Sequence, residues 1–431
     1  MFVITMKSIS KKICIVLSVV ITSITSQTAF SADNYQVTDL GKFGGINAES
    51  FAINEEGLMV GFSTGTDFSS HAFVYQNDTL VDLGFLINDL LPGGVSVALG
   101  VNNNNIATGF STQALDSGEV DADGEVIFNN INVGTYFDIA NLTVNALPQV
   151  DPDINRETRG ISINDNNIIV GFASIDPPDD VDSNGDPISS LFDRGFFYDI
   201  ASDQMTIVGS LDDNDAATVV LRAINNDNFA VGVSTQLVNE INSTQVFSVD
   251  LSAPNELTRL DIFGGAIQQA WDVNAAKKVV GSARTETNQN VQAYLYDVQT
   301  AAATALGYLN DNFGFSQAFG INDSDQIVGT SQIQNSPSTF HAFIYENGSM
   351  KDLSNMIGCD TGWILQEARA INNTGVITGN GIFEGERRAF SLTPLAGTAP
   401  DCELLNSSGG GSVPVSGLFS LFLLSFFRKR R

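Results

Sequence analysis

"GINDSDQIVGTS", residues 320–331, sets two aspartates between two strand-like runs, and close variants of it return six more times along the chain. The shared pattern is Ile or Val, then Asn, four residues, a hydrophobic or small pair, and Gly. It starts at Asn54, Asn102, Asn164, Asn225, Asn274, Asn322 and Asn372. A glycine follows seven residues later each time, at Gly61, Gly109, Gly171, Gly232, Gly281, Gly329 and Gly379. The asparagines are 48, 62, 61, 49, 48 and 50 residues apart. A fixed offset kept through seven copies marks a repeat protein.

Turn chemistry says what each copy becomes. Three residues after each Asn stand Gly57, Asn105, Asn167, Asn228, Lys277, Asp325 and Gly375. All but Lys277 are residue types that accept positive φ. A type I turn followed by a left-handed residue closes a β-hairpin, and the leading Asn side chain holds the turn by bonding to the backbone. Asp323 and Asp325 therefore read as solvated turn residues rather than metal ligands.

Two further strands follow in each repeat. One alternates large apolar residues, as in "HAFVY" at 71–75, "GFFYDI" at 195–200, "AYLYD" at 293–297 and "HAFIY" at 341–345. The other is a short run such as "LVDLG" at 80–84 or "MKDL" at 350–353. Seven four-stranded antiparallel units predict an all-β, seven-bladed β-propeller, with a β-solenoid as the competing architecture. The seventh repeat has three strands of its own. The orphan strand "YQVTDLG" at 35–41 supplies the fourth and closes the ring, pairing two edges that would otherwise stay open. The division expected is a signal peptide at 1–32, the propeller at 33–395, a Gly/Ser-containing linker at 396–412, and an apolar helix with a basic tail at 413–431.

The termini carry the delivery signals. Lys7, Lys11 and Lys12 precede an apolar run from Ile13 and then "TAFSAD", where Ala29 and Ser31 satisfy the small-residue rule for signal peptidase. Cleavage falls after Ser31 or, less well, after Ala32. At the other end "GGGS" at 409–412 leads into "VPVSGLFSLFLLSFF" and stops at "RKRR". Loss of both terminal segments leaves 13 basic against 49 acidic residues, a net charge of −36, which repels phosphate backbones and speaks against nucleic-acid binding.

The tail is similar to a GlyGly-CTERM sorting signal, matched by Gly409, Gly410, Gly411, Ser412, the apolar run and Arg428 to Arg431. That resemblance implies a Gram-negative protein exported across the inner membrane and processed by a rhombosortase-like intramembrane protease. Its destination is the cell surface or the medium, with the periplasm as the alternative. "HAFVY" and "HAFIY" resemble the extracellular HAF repeats, a secreted family of uncharacterised function, although several repeats here lack the His-Ala-Phe triplet. Cys359 and Cys402, left as an even pair once Cys14 is removed, suit a disulfide in an oxidising compartment.

Chemistry is sparse. "GFSTG" at 61–65 matches a nucleophile-elbow pattern, but Ser63 lies in a β repeat where that motif needs a strand-to-helix turn. His71 and His341, the two histidines, hold the same place in their repeats. The two long repeats carry acidic insertions, "DSGEVDADGEV" at 116–126 and "SIDPPDDVDSNGDPIS" at 174–189. Asp180, Asp182, Asn184 and Asp186 alternate as in the first half of a calcium loop, with Gly185 for the turn. Leu191 stands where the closing carboxylate belongs, and Asp121, Asp123 and Glu125 on the neighbouring blade are placed to complete the shell. The leading expectation is a surface-displayed or secreted binding or scaffold module without a catalytic site, whose partner is a glycan or a protein. The alternatives are a secreted polymer hydrolase using axial carboxylates and a calcium-dependent adhesion component.

Overall fold

In the computed structural model each Asn-to-Gly phrase forms the hairpin between the first and second strands of a four-stranded antiparallel sheet. The structure describes residues 34–397 apart from 87–93, 121–123, 125, 151–155, 176–191, 212–216, 239–240, 288, 312–313 and 336–337. The residue three after each Asn is left-handed in all seven blades, with φ of 84, 62, 60, 58, 59, 61 and 80°. Lys277 adopts this conformation like the others. Its Nζ sits 4.7 Å from the centre of the Phe229 ring, a contact that holds the side chain over the neighbouring blade.

Seven such sheets follow one another, and the chain ends close them. The strand Tyr35–Asp39 pairs antiparallel with Glu386–Pro394, Val37 opposite Leu392. Blade 7 is thus Trp363–Ile371, Ile377–Phe383, Glu386–Pro394 and the opening strand. Tyr35 is buried in the same cluster as Leu365, Phe390 and Leu392. A parallel contact between Asn47 and Arg387 joins blade 7 to blade 1.

The core lies between blades rather than within them. Val60 and Val74 of blade 1 pack against Ala98, Ala107 and Phe137 of blade 2, and the later interfaces repeat the arrangement. The phrase glycine has a packing reason. A Cβ added at Gly329 would run into the carbonyl oxygen of Gln317 on the innermost strand and into the Phe343 ring. Gly329 faces Phe343 across the ladder, as Gly61 faces Phe73 and Gly379 faces Phe390. At Gly329 and Gly379 the missing side chain leaves room for the facing aromatic ring.

One insertion is not a loop. In blade 2 the strands Ile106–Val120 and Val126–Asp138 run on as a paired arm, with Val120 opposite Val126. Asp121, Asp123 and Glu125, and the blade 3 segment with Asp180, Asp182, Asn184 and Asp186, lie outside the described residues. So do 1–33 and 398–431, with Ala29, Ser31, Ala32, Cys402, Gly409, Gly410, Gly411 and Ser412. Cys359 is disulfide-bonded. Among the described residues no helix is long and apolar enough to cross a membrane.

Candidate functional site

The asparagines build the axis. Each Nδ2 donates to the main-chain carbonyl of the next blade's Asn: Asn54 to Asn102, and so on through Asn372, which returns to Asn54, at 2.9–3.2 Å. Each Oδ1 accepts the N–H four residues on within its own turn. One side chain therefore shapes its hairpin and ties it to the next blade, and all seven are buried.

A second collar lies one residue on. Asn103 Oδ1 accepts from Glu55 N–H, Asp165 from Asn103, Asn226 from Asp165, Asp323 from Ala275, Asn373 from Asp323 and Glu55 from Asn373. The collar breaks only between Asn226 and Ala275, whose methyl offers no acceptor. Asp323, though exposed, is thus an inter-blade link, and Asp325 accepts from Lys278 and from Asn274 of the preceding blade. Burial raises the Glu55 pKa above the ordinary range, and the nearby Asp323 and Asp165 charges add to it.

The axis above the collars is built by a repeated irregularity. Every innermost strand skips one residue in its pairing, three positions before the Asn. Such a bulge re-aims the extra side chain. The skipped residues are Phe51, Leu99, Ile161, Arg222, Trp271, Phe319 and Arg369, and all seven line a cavity of about 550 Å³. Below them Ile53, Val101, Ile163, Ile224 and Ile371 line both this cavity and the polar mouth at the asparagine end, where Val273 and Ile321 join them. The cavity is a funnel with an aliphatic floor. Inner strands start at its open end, so it faces the side that carries the blade 2 arm.

Along one wall cations and rings alternate. The Arg222 guanidinium carbon is 5.1 Å from the Trp271 ring centre, and Trp271 meets Phe319 edge-on at 5.7 Å. Arg369 lies 4.4 Å over Phe319 and 5.7 Å from Phe51. Opposite them Arg159 sits 4.5 Å over Phe110. Arg369 is paired with Glu367 at 3.0 Å and Arg159 with Glu157 at 2.6 Å. Arg222 has no hydrogen-bond acceptor among the described residues, and its Nε and Trp271 Nε1 are buried donors without partners. Burial lowers the Arg222 pKa, partly offset by attraction to Asp193.

Asp272, beside Trp271, is enclosed by protein except towards the lumen. It accepts N–H bonds from Val273 at 2.8 Å and Ile321 at 3.0 Å. Burial outweighs both and pushes its pKa up to about 7.

The residues singled out by sequence lie elsewhere. Ser63 is fully buried in a strand and its Oγ accepts the Phe43 N–H at 2.9 Å. His71 Nδ1 is 2.9 Å from Asp82 Oδ2 and its Nε2 3.1 Å from Ser69 Oγ, which has the outline of a catalytic triad. Asp67, however, accepts from both Ser69 N–H and Ser69 Oγ. A carboxylate thus fills the place an oxyanion would need. His341 pairs with Asp352 at 2.7 Å in blade 6, so the His–Asp pair braces third and fourth strands wherever the triplet occurs. Among the described residues no group of three His, Cys, Asp or Glu is arranged to hold a metal ion. Sequence reading missed the funnel residues. The signal was the column three places before each Asn, which holds two arginines and a tryptophan among apolar residues.

No curated protein matches the chain. Similar solved structures include an oligogalacturonate lyase in complex with manganese, 12% identical, covering 86% of this chain and 96% of that one at a TM-score of 0.50. The propeller domain of the Trilobed protease from Pyrococcus furiosus, of open velcro topology, is 10% identical and covers 86% and 97% at 0.48. At these identities the likeness concerns the β-propeller fold alone. Over residues 198–393 the chain is similar to the family described as a protein of unknown function, DUF3466.

Proposed function

We propose that this chain is an exported β-propeller binding module, surface-displayed or secreted, whose ligand seats in the axial funnel. One observation carries the reading. Asn and Gly are identical in all seven repeats, while the bulge position differs from blade to blade and collects two arginines and three aromatic rings around one lumen. Symmetric scaffold with an asymmetric lining is how a repeat fold specialises a site. The leader around Ala29, Ser31 and Ala32 and the tail from Gly409 to Ser412 support export, with signal peptidase and a rhombosortase-like protease as processing partners. A screen of immobilised protein against glycans and surface proteins tests the binding role. Hits that Trp271→Leu abolishes are expected; hits indifferent to every funnel substitution would move the site elsewhere.

The hydrolase alternative draws on Asp272, whose raised pKa suits a proton donor near neutrality. Hydrolysis of a glycosidic bond uses two carboxylates; Glu49, Glu157 and Glu367 are each engaged with a guanidinium, and Asp193, near Arg222, accepts from the Ser174 hydroxyl. Binding is therefore preferred. Calcium at Asp180, Asp182, Asn184 and Asp186 belongs to the adhesion form of the same proposal. Heat release and a higher melting temperature on adding calcium are expected, and no response to calcium or chelator would remove it.

A further inference from the structure

Resting on that reading of the funnel, we infer that its ligand carries a carboxylate, gripped by the Arg222 guanidinium, and lays an apolar face against Trp271 and Phe319.

Other arginines of this molecule are held by carboxylates. Arg387 is bonded to Glu49 and Glu367, and Arg388 to Asp39 and Glu386. Arg159 and Arg369, in the funnel itself, each have a carboxylate. Arg222 has a ring and no acceptor, in a chain where acidic residues outnumber basic ones 49 to 20. Acceptors are plentiful, yet among the described residues none hydrogen-bonds Arg222, and Asp193 acts on it only as a nearby charge. Arg222 is half-buried, with its Nε shut off from solvent, and a planar fork of N–H donors matches a carboxylate in two parallel bonds.

Charge and size narrow the group. Glu157 and Glu367 pair with Arg159 and Arg369, and Arg222 has the nearby Asp193 charge without a hydrogen bond to it; a single guanidinium fork open to a ligand suits a monoanion better than a phosphate dianion. The 550 Å³ volume falls among small-molecule sites. Trp271 and Phe319, edge-on to one another, present apolar surface beside the cation, while the indole Nε1 adds a donor without a partner. An acidic sugar and an aryl or alkyl carboxylic acid share this chemistry.

Calorimetry on the whole protein tests it with glucuronate, benzoate and phenylacetate, each beside its neutral amide, and with glucose. At least one carboxylate is expected to bind ten-fold or more tighter than its amide. Arg222→Gln is expected to remove that preference, and Arg222→Lys to restore it only in part, since charge returns without the fork. Trp271→Leu should weaken the carboxylate and amide alike. Binding by glucuronate or by the aryl acids identifies the source. Equal binding of acid and amide, or an Arg222→Gln protein that still discriminates, overturns the inference. If only neutral probes bind, and bind through Trp271, the carboxylate is wrong and the funnel still stands as a binding site. If no probe and no hit of the wider screen depends on a funnel residue, both readings fall.

Discussion

Asn225 shows how much one side chain does in this fold. Its Nδ2 bonds the Asn274 carbonyl, and its Oδ1 accepts from Asp227 and Phe229. Alanine there takes the acceptor from the Asp227 and Phe229 N–H groups and one of two donors from the Asn274 carbonyl, which keeps the Lys277 N–H; a buried group left unmatched costs roughly 1–3 kcal/mol. Asn225→Ala is expected to destabilise by about 2–4 kcal/mol in denaturant unfolding, whereas the exposed Asn226→Ala should stay within about 1 kcal/mol. Asp272 makes a different demand. Its folded pKa of about 7 lies above the ordinary 3.8, so the folded state keeps a proton that the unfolded chain releases. That contribution is complete below about pH 4, declines as pH rises, and is gone above about 7. A rise of that size corresponds to at most about 4 kcal/mol. Melting temperature should fall from pH 5 to 8 in the native protein, and Asp272→Asn should flatten that part of the slope.

Blades depend on the close approach of their first two strands, where the phrase glycine sits. Gly329→Ala places a methyl against the Gln317 carbonyl and the Phe343 ring, and neither can retreat without opening the ladder. A loss of about 3 kcal/mol or more is expected, with the blade 6 amides losing hydrogen-exchange protection first. The hairpins, the strand count and the left-handed turn residues were legible because they rest on local chemistry repeated seven times. The bulge was not. It interrupts the two-residue period by which a strand is recognised, so Arg222 and Trp271 looked like positions of no particular facing. The inter-blade asparagine bonds were hidden for another reason, since their partners lie 48 to 62 residues away for six of them and 318 for the seventh. The Asp121 and Asp180 insertions were visible as charge, but pairing across the arm at 120 and 126 is a property of backbone, not of composition.

Closure makes the molecule one cooperative unit, because each interface core is shared by two blades and the ring has no free end. The seam is held by the strand Tyr35–Asp39, whose Tyr35 N–H bonds the Met356 carbonyl at 2.7 Å while Leu395 N–H reaches back to Asn34 at 2.8 Å. Arg388 adds an ion pair to Asp39 at 3.0 Å. Tyr35 is the largest side chain this strand buries, at 2% exposure. Truncating a buried aromatic of this size costs about 3–5 kcal/mol. If the seam governs the whole ring, Tyr35→Ala should lower the single unfolding transition without splitting it, because an opened blade 7 exposes the edges of its neighbours. A split transition, with blades 2 to 5 melting at the native temperature and blade 7 alone melting early, would instead describe a row of independent sheets. The funnel would then lose its geometry too, since Arg369 and Phe51 stand on either side of that seam.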